Sequence, residues 1–363
     1  MERVAVYGAG VYGGIFGTEI ERNSIKVECF IDQFSTKKEI IGKHIYKLEN
    51  IELDNLTVYI SITSPKVELI VIDNLKKLGI ETIYTFVDTL KKFPNLIPQC
   101  VKQTKTWFSE DKSIMIDQKK LEEVNSLLSD NKSKDLLHKI EIFRKTLSSE
   151  SYLIPDLDPQ YFPSDIALFD HLDKVRFIDG GAYIGDTLFE SISEFHKNGK
   201  EIEYIASFEP DTENLIKLSN EVLKQQKRSK CNFIIFPCGL WSSNKVLQFS
   251  ANNEASSSIV NDSASENIIK IMGATIDTTL MGSRPNYIKM DIEGAEKEAI
   301  IGAKNTISTY SPVLAISLYH KPQDLWELPL LINSMNSNYN MFLRIYGHMG
   351  LEIVLYCVPK NYV

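Results

Sequence analysis

One stretch of the chain, residues 177–187, constrains its fold more than any other. It reads Phe-Ile-Asp-Gly-Gly-Ala-Tyr-Ile-Gly-Asp-Thr, so an apolar strand runs into a glycine-rich turn and then into a helix that begins at Asp186. Glycines let the backbone come close to a ligand, and the first turn of a helix presents unpaired N–H groups to it. The stretch therefore predicts a cradle for a nucleotide-type cofactor.

A carboxylate follows the next predicted strand, one βα unit later. The segment 206–211 reads Ala-Ser-Phe-Glu-Pro-Asp, and a doubly wound sheet places at this point the acidic side chain that holds ribose hydroxyls. Residues 178–187 contain two aspartates and no lysine or arginine that would balance phosphate charge, which disfavours a nucleoside triphosphate. We therefore expect Glu209 to bind the ribose of a nucleoside that carries no triphosphate.

A third segment, 286–296, reads Asn-Tyr-Ile-Lys-Met-Asp-Ile-Glu-Gly-Ala-Glu. Together with the runs Asp-Gly-Gly-Ala-Tyr-Ile-Gly-Asp-Thr and Phe-Glu-Pro-Asp, it resembles the motifs of the FkbM family of S-adenosylmethionine-dependent methyltransferases. The resemblance extends from about Tyr161, within a lead-in at 160–163, through 318–322 to the C-terminus, and it does not include residues before Ser151. The ordered set of motifs is specific, whereas each motif alone is weak.

The resemblance implies a class I methyltransferase-type sheet that ends in an antiparallel hairpin. It also implies S-adenosylmethionine as cofactor and S-adenosylhomocysteine as product. The turn from Gly181 to Gly185 would lie under the amino-acid portion of the cofactor, Asp179 would face its ammonium group or an ordered water, and Glu209 would accept both ribose hydroxyls. The predicted cofactor-binding residues are Asp179, Gly181, Ala182, Gly185, Asp186, Thr187, Glu209, Pro210, Gly239, Leu240 and Asp291.

By the same resemblance, the segments 239–241, 256–258 and 275–277 border the cofactor or the acceptor. A turn, a polar loop and a helix N-cap explain these segments as simply. The cap is favoured for Asp277, and a place in the core or at a domain interface is favoured for Trp241.

Methyl transfer to a hydroxyl requires an aligned acceptor, exclusion of water and a base that removes the hydroxyl proton. The candidate catalytic residues are Asp291, Glu293 and His320. Asp291 and Glu293 alternate on one face of a predicted strand end and His320 ends the next strand, so adjacent strands would bring them together. Structural roles stay open: a helix cap for Glu293, a helix-dipole contact for Glu296 and a hydrogen-bonded core position for His320. Lys289 is expected to reach a carboxylate.

The same three candidates, Asp291, Glu293 and His320, are compatible with a divalent ion such as magnesium, which prefers oxygen ligands. Nothing in their spacing requires an ion. Transfer without a metal is therefore the prediction.

A second glycine motif, Gly8-Ala9-Gly10-Val11-Tyr12-Gly13, follows a strand and precedes a helix, and Asp32 closes the next strand. This is the dinucleotide fingerprint in its proper context, and Gly8, Gly10, Gly13 and Asp32 are its predicted ligand residues. The region of about 90 residues has room for little more than one half of a dinucleotide fold. It also resembles the small nucleotide-binding domain fused to some sugar-modifying enzymes. A nucleotide-sugar or acceptor module is favoured over an NAD site and over a scaffold without ligand.

The composition excludes several classes of protein. A net charge of −8 argues against a nucleic-acid binder, and no apolar run approaches the roughly 20 residues of a membrane span. The N-terminus lacks the features of a secretory signal, and the five cysteines have no metal-type spacing. We expect buried thiols, a cytoplasmic location and no integral membrane segment. The sequence is compatible with a monomer and with an oligomer.

The patterns of strands and helices divide the chain into three parts. These are a small Rossmann-like nucleotide-binding domain at 1–94, a helical bridging segment at 95–174 and a methyltransferase domain at 175–363. The fold class is therefore α/β, with two Rossmann-like domains joined by a mainly helical segment. In the last part the predicted strands are 176–181, 204–209, 232–237, 246–249, 286–292, 313–319, 341–346 and 351–358, and the predicted helices are 186–197, 212–227, 295–309 and 323–335.

The favoured function is that of an O-methyltransferase that acts on a hydroxyl of a sugar, a glycan or a nucleotide-activated sugar precursor. An NAD-dependent sugar-modifying oxidoreductase that uses the N-terminal fingerprint is one alternative. A non-catalytic protein that binds a nucleotide or S-adenosylmethionine is the other.

Overall fold

A computed structural model describes residues 3–104, 106–170, 172–227, 231–250, 258–259 and 268–360. The chain divides into two compact units. Unit 1 comprises residues 1–110, 138–157 and 345–352, and unit 2 comprises residues 111–137, 158–344 and 353–363. The segment predicted to bridge two domains, 95–174, thus contributes residues to each unit.

Unit 1 is built around a mostly parallel sheet. Its strands are β1 (Arg3–Tyr7), β2 (Cys29–Ile31), β3 (Glu39–Ile40), β4 (Lys43–Tyr46), β5 (Leu56–Ile60) and β6 (Thr82–Tyr84), and its helices include α1 (Val11–Arg22), α2 (Pro65–Lys77), α3 (Phe86–Lys92) and α4 (Leu96–Thr104). Among the described residues the strand order is β3-β4-β2-β1-β5-β6, in which β1 is parallel to β2 and to β5. Apolar side chains on β1, β2 and β5, such as Ala5, Cys29 and Val58, are fully buried in its core, as expected for parallel strands covered on both faces.

Unit 2 contains the remaining elements, apart from the second part of α6, which belongs to unit 1. The helices are α5 (Gln118–Leu127), α6 (Asn131–Thr146), α7 (Asp186–Lys197), α8 (Thr212–Gln226), α9 (Ile276–Thr279), α10 (Glu296–Ile301), α11 (Lys304–Tyr310) and α12 (Asp324–Met335). The strands are β7 (Lys174–Gly180), β8 (Glu201–Phe208), β9 (Asn232–Phe236), β10 (Gly239–Leu240), β11 (Lys245–Ser250), β12 (Ser258–Ile259), β13 (Ile268–Ala274), β14 (Tyr287–Met290), β15 (Val313–Ser317), β16 (Tyr339–Ile345) and β17 (Ile353–Pro359).

The main sheet of unit 2 has the strand order β16-β17-β15-β14-β7-β8-β9 within the described residues. β14 pairs in parallel with β7 and β15, β8 pairs in parallel with β7 and β9, and β17 pairs antiparallel with β15. This confirms the predicted parallel sheet, and the consecutive strands β16 and β17 adjoin at its end, where the sequence predicts an antiparallel hairpin. Because the parallel strands end at one edge, the residues that follow β7, β8, β14 and β15 come together there.

Three details of unit 2 differ from the prediction. The helix expected at 295–309 is two helices, α10 and α11, separated by Gly302 and Ala303. A Cβ atom on Gly302 would lie 2.0 Å from the backbone oxygen of Trp241, so only glycine fits where these two chain segments meet. The strand expected at 286–292 ends at Met290, and β13 in a second sheet of order β10-β13-β11-β12 has no counterpart in the prediction.

All five cysteines lie in the described residues, where they are buried and form no disulfide, as predicted. In the same part of the chain, no helix combines the length and the apolar character needed to cross a membrane.

Candidate active site

The glycine turn after β7 is shaped by close packing against the segment that follows β14. Gly181 has a φ of +75°, and a Cβ atom at this position would lie 1.9 Å from the backbone oxygen of Asp291. The N–H groups of Gly181 and Ala182 donate to the Phe208 oxygen at the end of β8, over 3.0 and 3.1 Å. The turn is therefore fixed to both neighbouring strands, and only glycine fits at Gly181.

The turn leads directly into α7. Gly185 adopts a φ of +87° at the position before the helix, and Asp186 and Thr187 begin it. The Asp186 side chain is exposed and its Oδ1 accepts from the Thr187 N–H over 2.9 Å. An acidic residue in the first turn of a helix favours its dipole, which accounts for Asp186 without a ligand.

Glu209, which follows β8, is oriented by two backbone donors. Its Oε2 accepts from the Tyr183 N–H over 2.9 Å and its Oε1 accepts from the Asp211 N–H over 2.8 Å, beyond the half-buried Pro210. The residue is 5% exposed, and burial raises the pKa of its carboxyl although both N–H groups lower it. Each oxygen keeps a second lone pair, so the carboxylate can still accept two hydroxyl groups.

Asp179 and Lys289 form an ion pair inside the sheet. They are register partners on β7 and β14, and Lys289 Nζ lies 2.9 Å from Asp179 Oδ1 and donates to the Gly181 oxygen over 2.7 Å. Both side chains are buried, and burial lowers the pKa of Lys289, but Asp179 and Asp291 outweigh it and hold that pKa above its usual value. The predicted contact of Lys289 with a carboxylate is confirmed.

The second oxygen of the Asp179 carboxylate, Oδ2, is buried and has no hydrogen-bond partner in the structure. An unsatisfied buried carboxylate oxygen is costly. This atom can accept a hydrogen bond from a group that enters the site.

Gly239 and Leu240 form β10 and are buried. A Cβ atom on Gly180 would lie 2.7 Å from Leu240 Cδ1, so Leu240 packs directly against the end of β7. The structure thus brings the segment after β9 to the glycine turn.

The predicted catalytic residues Asp291, Glu293 and His320 lie together at the edge of the sheet, since β14 and β15 adjoin. Asp291 Oδ2 accepts from the Tyr161 hydroxyl over 2.7 Å and its Oδ1 accepts from the Tyr319 hydroxyl over 3.1 Å. Burial raises the pKa of Asp291, but His320, Lys289 and the Tyr161 hydroxyl hold it below its usual value. Asp291 therefore remains ionised near neutral pH.

His320 is surrounded by carboxylates. Its Nδ1 lies 2.9 Å from Glu296 Oε1, and its Nε2 lies 3.4 Å from Asp291 Oδ1 and 3.7 Å from Glu293 Oε2. Burial lowers the pKa of the ring, but Glu296 first, then Asp291 and Glu293, raise it to about 10. The interpretation of Glu296 as a helix-dipole residue misses this contact, because sequence alone does not show that the side chain is fully buried.

Glu293 lies in the turn between β14 and α10, not on the strand as predicted. Its φ of +55° is left-handed, and that of Gly294 is +88°, a conformation that costs energy for a residue with a side chain. Burial raises the pKa of the Glu293 carboxyl to about 7, although His320 lowers it. No side-chain cap precedes α10, so the cap expected from Glu293 is absent.

Asp291, Glu296 and His320 are spaced so that one ligand-type atom from each lies within 4.8 Å of the others. The two ring nitrogens nevertheless face different carboxylates, Nδ1 towards Glu296 and Nε2 towards Asp291. This is the arrangement of a cation between anions, and we assign no metal ligand.

The N-terminal glycine motif in unit 1 forms a tight turn. A Cβ atom on Gly13 would lie 2.1 Å from the Gly8 oxygen, whereas one on Gly10 would meet nothing within 4 Å. Asp32 Oδ2 accepts from the Ala9 N–H over 2.9 Å, and its Oδ1 accepts from two N–H groups of its own loop. Burial raises the pKa of Asp32, but these backbone donors hold it below its usual value.

The structure also shows the surroundings of Asp277 and Trp241, for which a helix cap and a core or interface position are predicted. The Asp277 carboxylate accepts from the N–H groups of Asn305 and Thr306 and from the Thr306 hydroxyl, so it caps α11. Trp241 packs against Leu247 and Ile271 in a small cluster. Residues 256 and 257 lie outside the described part of the chain.

Residues 179–348 match the family model described as Methyltransferase FkbM domain. The fold is similar to the crystal structure of methyltransferase FkbM from Methylobacillus flagellatus KT, with a TM-score of 0.58 and 21% identity over 98% of this chain and 90% of that one. A second match is the crystal structure of S-adenosylhomocysteine-bound methyltransferase PaMTH1 from Podospora anserina, with 8% identity over 74% of this chain and 96% of that one. The TM-score of this match is 0.30. The sequence has no significant match among curated proteins.

Proposed function

Because residues 179–348 match the FkbM methyltransferase domain model, we propose that this chain is an S-adenosylmethionine-dependent O-methyltransferase whose acceptor is a hydroxyl of a sugar, a glycan or a nucleotide-activated sugar precursor. The observation that carries the proposal is the Glu209 carboxylate, held by two backbone N–H groups beside the glycine turn, within the matched residues.

The residues present fit the cofactor. Glu209 has two lone pairs left for a ribose diol, and the buried, unpartnered Asp179 Oδ2 can accept from an ammonium group or from water. The turn from Gly181 to Gly185 has no basic side chain, as suits a ligand that carries a cationic sulfonium and no phosphate. When bound, S-adenosylmethionine supplies an electrophilic methyl group.

The acidic rim suits a hydroxyl acceptor. Carboxylates accept hydrogen bonds from hydroxyl groups and can remove their protons, and Asp291 and Glu293 provide two such groups at the end of β14. The residues of the site would therefore hold the acceptor oxygen, orient it and take up its proton. A neutral sugar ring presents several hydroxyls to such a rim and carries no negative charge of its own.

Unit 1 is proposed to recognise a nucleotide-activated sugar through Gly8, Gly10, Gly13 and Asp32. The parallel sheet and the tight turn support this assignment. An NAD site at the same residues is the alternative, and it predicts affinity for NAD in place of UDP-sugars.

Calorimetric titration of the whole chain with S-adenosylhomocysteine, NAD and UDP-sugars tests the proposal. S-adenosylhomocysteine should bind, and Glu209→Ala should weaken that binding at least several-fold, because a bidentate charged acceptor is lost. Glu203→Ala is the matched control, since Glu203 is a half-exposed acidic residue on β8, the strand that Glu209 follows. Methyl transfer from labelled S-adenosylmethionine to UDP-sugars and oligosaccharides then identifies the acceptor.

Absence of S-adenosylhomocysteine binding to the wild type would refute the proposed cofactor. Equal affinity of the wild type and Glu209→Ala would remove Glu209 from the site. Binding of NAD with redox activity would favour the oxidoreductase.

A further inference from the structure

Both nitrogens of the His320 ring lie close to carboxylate oxygens, although neither contact has the geometry of a hydrogen bond. Nδ1 faces Glu296 at 2.9 Å and Nε2 faces Asp291 at 3.4 Å. A neutral imidazole has one donor nitrogen and one acceptor nitrogen, whereas a carboxylate only accepts. A neutral ring would gain no charge attraction from its surroundings, whereas the positive charge of the imidazolium is attracted by the three carboxylates of Glu296, Asp291 and Glu293.

Glu296 is fixed beneath the ring. It is fully buried, and its Oε1 also accepts from the Ile292 N–H over 2.8 Å. The backbone of the turn after β14 thus sets the position of the carboxylate that faces Nδ1. Among the described residues the other oxygen, Oε2, is buried without a hydrogen-bond partner, and His320 Nδ1 lies 2.9 Å from Oε1.

Two carboxylates lie near Nε2, those of Asp291 and Glu293, and they differ in the hydrogen bonds that they already accept. Both oxygens of Asp291 accept tyrosine hydroxyls, from Tyr161 and Tyr319. The Glu293 side chain is 36% exposed, and among the described residues its carboxylate lies near His320 without a hydrogen bond. Its backbone is left-handed, with a φ of +55°, and its Oε2 lies 3.7 Å from His320 Nε2.

We propose that Glu296 is a positioning residue that holds His320 as an imidazolium, and that Glu293 is the catalytic residue that accepts the proton of the acceptor hydroxyl. This inference rests on the proposed methyltransferase function and names the base within it. It also assigns His320 a positioning role in place of the catalytic role expected from the sequence.

The charges around the cluster agree with these roles. The groups that face it are Asp291, Glu293 and Lys289 from β14 and the turn after it, Glu296 from α10, and Asp324 and Lys321 from α12 and the residues before it. A ring with a pKa of about 10 keeps its proton near neutral pH, whereas a carboxyl with a pKa of about 7 exchanges one. A general base works best with a pKa near the operating pH.

The proposed methyl transfer conserves atoms and charge. The O–H bond of the acceptor breaks and its proton goes to a Glu293 carboxylate oxygen, while the acceptor oxygen forms a bond to the methyl carbon. The pair of electrons of the broken sulfur–carbon bond stays on sulfur, which becomes a neutral thioether. Glu293 then returns its proton to water.

The protonation state of His320 can be measured without cofactor. In protein labelled with ¹⁵N-histidine, the ring resonances of His320, assigned with His320→Gln, should show two protonated nitrogens from about pH 6 to about pH 9. Glu296→Gln should lower the pKa of the ring by about 1–3 units, the range expected for loss of one close opposite charge. Glu327→Gln, which removes the partly exposed partner of Lys297 in a surface ion pair, should leave the pKa of the ring unchanged.

The pH dependence of kcat shows whether Glu293 or His320 is the base. Glu293→Gln should reduce kcat by about 10²–10⁴-fold with unchanged affinity for S-adenosylhomocysteine. His320→Gln should keep an acidic limb in the profile and move it to higher pH, because the cation that lowers the pKa of Glu293 is lost. If Glu296→Gln fails to fold, Glu296→Asp keeps the charge and should preserve the high pKa of His320.

Several results would overturn the proposal. A wild-type His320 that titrates near its ordinary value would refute the imidazolium, and loss of the acidic limb in His320→Gln would make His320 the base. Loss of a ring proton on addition of Mn²⁺ or Zn²⁺, together with inactivation by a chelator, would indicate a metal site. The nuclear magnetic resonance result stands whether or not the cofactor binds, so failure of this inference is distinct from failure of the proposed function.

Discussion

Asp179 and Lys289 lie opposite each other on β7 and β14, and their charged atoms are 2.9 Å apart within a buried sheet. The pair joins the two strands that lead into the glycine turn and into the segment of Asp291 and Glu293. It therefore links the stability of the sheet to the geometry of the site.

Removal of one partner of this pair should be strongly destabilising. Lys289→Met leaves the Asp179 carboxylate buried and uncompensated, which costs about 3–5 kcal/mol. Urea unfolding monitored by circular dichroism measures the loss. Lys297→Met, which removes the half-exposed partner of Glu327, should cost about 0–1 kcal/mol. A loss for Lys289→Met no larger than that of the control would contradict the role of the pair.

Gly181 should tolerate no side chain. Its φ of +75° combines with a Cβ position 1.9 Å from the Asp291 oxygen, so Gly181→Ala adds backbone strain to a steric clash, together about 2–6 kcal/mol. Gly199→Ala is the matched control, because Gly199 has a φ of +67° and open space around its Cβ position, and should cost about 1–2 kcal/mol. Thermal unfolding of the two variants compares them, and equal midpoints would show that the turn relaxes.

The sequence predicts the elements whose signals are local. The helix expected at 186–197 is found at Asp186–Lys197, because a glycine before it and apolar residues at helical spacing define it. The predicted meeting of Asp291 and His320 is confirmed, since it follows from the adjacency of two parallel strands.

Features that depend on distant contacts escaped prediction. The break lies at Gly302, where the backbone of Trp241, some 60 residues earlier in the chain, approaches too closely for a side chain. The fully buried position of Glu296 under His320 likewise depends on how α10 packs against the end of β15. An acidic residue in the first turn of a helix looks the same in sequence whether it faces water or an imidazole ring.

His348 in unit 1 should make stability depend on pH. The ring is buried, stacks on Phe86 at 4.4 Å and has its Nδ1 3.0 Å from the Tyr152 hydroxyl, and burial lowers its pKa to about 4. In the unfolded chain the pKa is about 6.5, so between these values the unfolded state binds the proton and the native state does not. The contribution of the neutral His348 ring to the free energy of unfolding is therefore complete above about pH 6.5. It falls by about 3 kcal/mol as the pH falls to about 4.

Thermal midpoints of the wild type and His348→Phe between these pH values measure the effect. The variant should lose the part of the pH dependence that His348 contributes, while His44→Phe, at an exposed histidine, should keep it. Parallel pH curves for the wild type and His348→Phe would show that the buried ring does not titrate.

Asp277→Ala should weaken α11. The carboxylate accepts from the N–H groups of Asn305 and Thr306 at the start of that helix, and loss of such a cap costs about 0.5–2 kcal/mol. Asp277→Asn keeps one acceptor oxygen and should lose less. If the two variants unfold at the same urea concentration as the wild type, the cap adds nothing to stability.

Gly10→Ala separates a nucleotide site in unit 1 from a scaffold that binds nothing. A Cβ atom at Gly10 meets no atom within 4 Å, so the substitution should cost only about 0.5 kcal/mol as a less favourable residue before α1. A nucleotide diphosphate on the turn would approach this position closely, so affinity for a UDP-sugar should fall at least several-fold. Gly13→Ala, whose Cβ would lie 2.1 Å from the Gly8 oxygen, should instead lower stability. Calorimetry and thermal unfolding measure the two effects, and a stable Gly10→Ala with unchanged affinity would place the nucleotide elsewhere.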